Sequence, residues 1–169
     1  MGTSIGQAID YFISGTNAVT GTTLLQDLQA ADPTAILVDA YPTQQSQSML
    51  FIGRTDPENA QAPNGAQSPV TLGLGTRDEE YSIPCFISVV RQGPQQKPAR
   101  DAALALLDVL NHWLAADPKL GGVLKNGRYA YLSTVSLVQT RDTEDAGDTG
   151  SLRQAWLTFD ILARNHYTP

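Results

Sequence analysis

Glu80-Tyr81-Ser82-Ile83-Pro84-Cys85-Phe86-Ile87-Ser88-Val89-Val90-Arg91 is the stretch that decides the fold. Tyr81, Ile83, Cys85, Ile87 and Val89 fall on one phase, and Ser82, Pro84, Phe86, Ser88 and Val90 on the other. A period of two is the signature of a β-strand, here with the first set turned towards a core. Pro84 has no amide to give to a ladder, so the strand is expected at a sheet edge or bulged at that point. Gly93-Pro94 closes it.

Downstream, residues 99–116 change period. Ala103, Leu106, Leu107, Leu110, Trp113 and Leu114 recur at helical spacing, forming an apolar stripe about 27 Å long. Arg100, Asp101, Asp108 and Asn111 lie off it, and Trp113 belongs to the core. Asp117-Pro118 stops this helix, and Gly121-Gly122 permits a tight reversal. Residues 128–140 and 152–166 then read as two long strands. Ala155, Leu157, Phe159, Ile161 and Ala163 of the second alternate with Gln154, Trp156, Thr158 and Asp160, so it is half-buried. The polar connector 141–150 makes the pair a hairpin with an acidic tip of Asp142, Glu144, Asp145 and Asp148.

Upstream, Ser4-Ile5-Gly6-Gln7 has the form of a capping box. Ile5, Ala8, Ile9, Phe12 and Ile13 then mark one helical face. A second short helix is expected over 22–31 with Leu24, Leu25 and Leu28 inward, ended by Asp32-Pro33. The apolar runs 36–41 and 49–53 read as strands. Residues 54–76 are rich in Pro, Gly, Asn, Gln and Ala without a usable period, and are expected to form a projecting arm or long hairpin. The order predicts one α+β domain over 1–169, its helices packed on one face of a mostly antiparallel mixed sheet.

Little in the chain points to chemistry. Gly73-Leu74-Gly75 lacks the third glycine and the strand-to-helix setting of a dinucleotide loop. Residues 142–148 miss the spacing of a calcium loop. His112, His166 and the lone Cys85 form no zinc pattern, and no nucleophile elbow is present. No catalytic, cofactor-binding or metal-ligating residues are therefore assigned. A formal net charge of −6 argues against a protein that grips nucleic acid by neutralising phosphates. One cysteine supports no disulfide framework. The first residues lack a basic, apolar signal segment, and no run reaches membrane-spanning length, so synthesis in the cytoplasm is expected. The surface candidates are Arg77, Asp78, Glu79 and Glu80, a mixed-sign cluster suited to an intersubunit seam. Trp156 joins them as a partner-facing aromatic.

Three parts recur together: the strand entrance Arg77-Asp78-Glu79-Glu80-Tyr81-Ser82-Ile83-Pro84-Cys85, the helix ending in Asp117-Pro118-Lys119-Leu120-Gly121-Gly122-Val123, and the closing hairpin. In this order the chain resembles the tail terminator (tail-completion) proteins of siphophages, particularly those of actinobacterial prophages. The resemblance implies a homo-oligomer, a hexameric ring at the head-proximal end of the tail tube. Such a ring stops tube growth and joins the tail to the head. It implies the major tail tube protein and a head-closure or connector protein as partners, residence in the virion, and no cofactor or active site. DNA would pass through the ring without specific binding, past an acidic tip facing the lumen or a partner. A head-closure ring of the phage neck is an alternative of the same class. A small-molecule binding module, with the arm as a lid, is one from another class.

Overall fold

The computed structural model describes residues 4–39, 46–53, 64–69, 77–93, 95–125, 129–143 and 152–167. The elements run α1 (Ser4–Ser14), α2 (Leu24–Ala31), β1 (Ala35–Val38), β2 (Ser48–Ile52), β3 (Asn64–Pro69), β4 (Arg77–Gln92), α3 (Lys97–Ala116), β5 (Ala130–Thr143) and β6 (Leu152–Tyr167). The strands form one mixed sheet in the order β1-β2-β4-β6-β5, with β3 also paired to β4. β1 and β2 are parallel and every other pair is antiparallel. The expected α+β architecture is present.

The alternation in β4 acts as its sequence reads. Tyr81, Ile83, Cys85, Ile87 and Val89 are buried, and they join Ala155, Leu157, Phe159, Ile161 and Ala163 of β6 beneath the helices. α3 lies across β4, β6 and β5, driving Ala99, Ala103, Leu106, Leu110, Trp113 and Leu114 into that core. α1 adds Ala8 and Phe12, and α2 adds Leu24 and Leu28, while Leu25 is half-buried.

Pro84 corrects the sequence reading. β4 is an interior strand, and its register to β6 is unbroken through Pro84↔Asp160. On the other side β4 has two successive partners: β2 pairs with Cys85–Val89, and β3 with Arg77–Ser82. The Val90 N–H donates to Gln47 O at 2.7 Å, so even-numbered residues of β4 direct their amides to that side. The missing amide of Pro84 therefore faces the break between β2 and β3, where no ladder bond is lost. The same pairing bears out the hairpin alternative for residues 54–76: β3 lies inside them and pairs antiparallel with β4, the next strand in the chain. The rest of that arm is outside the described residues.

The N-terminal cap also differs. Ser4 does not form a box with Gln7; its N–H and Oγ donate to Glu79 Oε2 at 3.2 and 2.9 Å. A carboxylate from β4 thus sits at the positive end of α1. The capping box belongs to α2, where the Thr23 side chain accepts from the Gln26 N–H and the Gln26 side chain accepts from the Thr23 N–H.

Phe86, on the outward phase of β4, is buried as well. Its ring stacks on Phe51 at 4.1 Å and lies 6.4 Å from Trp156. The apolar run Cys85-Phe86-Ile87 is thus covered on both sheet faces, the burial that continuous apolar strands usually signal.

Asp32 ties α2 to two strands. Its carboxylate accepts hydrogen bonds from Ser48, Thr34 and Arg91, and its N–H caps α2 through Leu28 O. Burial pushes this carboxyl upward, but those donors outweigh it and hold it down at about 2. Asp32→Asn is expected to lower stability by about 2 kcal/mol at neutral pH. The depressed folded pKa means the contribution is fully present above the ordinary 3.8 and is lost as pH falls towards 2. Urea unfolding of both proteins across that window should show the difference shrinking.

Candidate assembly surface

The entrance of β4 divides its charges between two faces. Glu79 points into the helix side, only 3 % exposed, and holds α1. Burial, reinforced by the Glu79 charge, keeps the neighbouring Tyr81 phenol above its ordinary range. Glu80 is on the opposite face, exposed, and pairs across strands with Arg164 at 3.1 Å. Asp78 is half-buried, and the Arg77 side chain lies outside the described residues. Of the seam candidates whose side chains are described, Glu80 is the exposed one.

Trp156 shares the face of Phe86 and is half-buried; its indole Nε1 is buried without a hydrogen-bond partner. The acidic tip is mostly outside the described residues, as Glu144, Asp145 and Asp148 all are. Asp142 lies within β5, in register with Arg153.

β5 is the surface that site-by-site reading missed. It is a terminal strand of the sheet, and among the described residues no strand pairs with its outer side. From Ala130 to Thr140 it carries no charged residue. Ala130 and Leu132 share the phase of Ala163 and Ile161, which places Tyr131 on the face away from the helices. The register shifts between Ser133 and Ser136, and Leu137 then opposes Leu157 on the helix side. Tyr131, Val135 and Leu137 are each about half exposed, with Tyr129 just before them. Exposed apolar groups therefore occupy both faces of one open edge. Edge strands ordinarily carry charges, prolines or covering groups that discourage pairing. The opposite edge is blunted in this way: β1 is short, Gln29 Nε2 donates to Ala35 O at 3.2 Å, and the Ala35 N–H donates to Asp32 O. A run of β-branched and aromatic residues without charge was the signal available in the sequence.

The groups able to do chemistry are spread apart. Cys85 is fully buried in the core, and burial pushes its thiol up to about 12 against a hydrogen bond from Gly53. His112 is exposed on α3, its Nδ1 donating to Asp108 O at 2.7 Å. No set of three or more His, Cys, Asp or Glu able to hold a metal occurs among the described residues. Among the described residues no helix is long and apolar enough to cross a membrane.

No protein-family model matches the chain, and no curated protein matches it.

Proposed function

We propose that this chain is a structural assembly protein of the siphophage tail terminator type. In this reading it forms a ring at the head-proximal end of the tail tube, ends tube growth and presents the surface that joins the tail to the head. The observation that carries it is the uncharged β5 edge with Tyr131, Val135 and Leu137 exposed. A single-chain protein gains nothing from such an edge, whereas an assembling one uses it for strand addition. A ring requires two different surfaces meeting head to tail, and a sheet with one open and one blunted edge has that asymmetry. The resemblance of the β4 entrance and the Asp117–Gly122 turn to tail terminators names the assembly. Its partners would be further copies of this chain, the tail tube protein and the head-side connector. Net negative charge suits a passage that DNA traverses without being held.

The test is native mass measurement of the purified protein alone and with tail tubes, beside electron microscopy of particles lacking it. A closed oligomer, in solution or on tube ends, and tails of uncontrolled length are expected. A strict monomer that ignores tubes would overturn the proposal, as would normal-length tails beside leaking heads, the outcome a head-closure ring would give.

A further inference from the structure

α2 and α3 lie side by side on the outer surface of the helix layer, and between them runs an open groove of about 490 Å³. Its floor is apolar: Ala30 and Ala31 of α2, with Val109 and Trp113 of α3. The alanines are small enough to leave the space empty. Its rims are polar: Asp27 stands on the α2 side, and Asp108 and His112 on the α3 side. Asp27 sits one turn before Ala31 on α2, and Asp108 one turn before His112 on α3.

These rims can accept hydrogen bonds but offer few to give. Asp27 accepts from Thr22 Oγ1 at 3.0 Å, and among the described residues neither Asp27 nor Asp108 has an ion-pair partner. His112 spends Nδ1–H on the Asp108 carbonyl, which leaves Nε2 as an acceptor in the neutral ring. An apolar floor flanked by two carboxylates and an imidazole suits an apolar stem ending in a planar cation with several donors. We propose that this groove receives an arginine side chain presented by a segment of a partner protein. Guanidinium brings five donors and is desolvated more easily than ammonium, so it suits a part-apolar slot better than lysine does. This does not depend on the ring reading, since the groove lies on the helix layer and the β5 edge belongs to the sheet.

The probe is n-butylguanidinium, titrated into the full chain at constant ionic strength and followed by amide ¹H–¹⁵N shifts, with n-butylammonium and n-butanol as controls. Saturable shifts confined to α2, α3 and the loop at Thr20 are expected, with n-butylguanidinium binding several-fold more tightly than either control. Asp27→Asn with Asp108→Asn should weaken binding at least tenfold. Ala31→Phe, which fills the groove and leaves both carboxylates, should abolish it. Butanol binding as well as n-butylguanidinium would overturn the proposal, as would unchanged binding in either variant or shifts spread over the whole surface.

Discussion

Gly121→Ala is expected to lower the stability of the chain by about 3 kcal/mol, from a backbone penalty and a collision. Gly121 has φ 62°, in the left-handed region, where a side chain costs about 1–2 kcal/mol. A Cβ there would also lie 2.5 Å from Cε2 of Tyr11. The ring is held by several contacts. On α1 it already sits where a Cβ on Gly15 would come within 2.3 Å of it, its face packs 5.3 Å from the Trp113 ring, and its hydroxyl donates to Asp117 at 2.6 Å. Forcing extra volume into such a site costs about 1–3 kcal/mol more. Gly122→Ala is the control: φ is 89°, but nothing lies within 4 Å of its Cβ, so it carries the backbone penalty alone. In a Tyr11→Ala background the collision disappears, and Gly121→Ala should then cost no more than Gly122→Ala. Urea midpoints at constant m-value measure all of these. Equal losses for Gly121→Ala and Gly122→Ala in the parent chain would show that Tyr11 does not wedge the turn.

That turn shows what was legible in the sequence and what was not. Asp117-Pro118 as a helix stop follows from local backbone chemistry and holds, and the two glycines expected to permit a reversal both take positive φ, in a short 3-10 turn over Leu120–Gly122. What fixes the turn does not follow. The Asp117 carboxylate accepts from the Gly121 N–H and the Tyr11 hydroxyl, and Pro118 O accepts from the N–H of Ala130, so one short segment ties α1 to the start of β5. Tyr11 is remote in sequence, and no periodicity links it to Asp117. Burial and proximity to that carboxylate also hold the Tyr11 phenol well above its ordinary range.

The same division runs through the sheet. β4, β6 and α3 were readable because their apolar residues carry the period of the element. β3 was not, because Asn64-Gly65-Ala66-Gln67-Ser68-Pro69 has no period and is a strand through its pairing with β4. Glu79 read as one of several surface charges, since nothing local marks the member of Asp78-Glu79-Glu80 that faces inward to hold α1. Phase marks it only once the register of β4 is known: Glu79 continues the series Tyr81, Ile83 and Cys85. The openness of β5 is a property of strand order, which a single chain's pattern does not contain.

Strand order therefore carries the second large effect. Val135→Lys with Leu137→Lys should abolish self-association while leaving the fold nearly as stable as before. Both side chains are already about half exposed, so replacing them removes little buried area, about 1 kcal/mol or less each. In an assembled edge the same positions become interior on both faces of the joined sheet. An ammonium there either stays buried and unpaired, at several kcal/mol, or holds the edges apart. A loss of about 3 kcal/mol per contact weakens association more than a hundredfold. In a closed ring every contact suffers it at once. Val135→Thr with Leu137→Thr keeps strand propensity and adds no charge, so it should weaken association far less. Sedimentation of the three proteins, with urea unfolding as the stability control, separates the possibilities. If the lysine variant assembles like the parent, the β5 edge is not the joining surface. If it fails to fold, the half-exposed residues support the core more than their exposure implies, and Tyr131→Lys alone, on the same edge, then decides whether the edge matters.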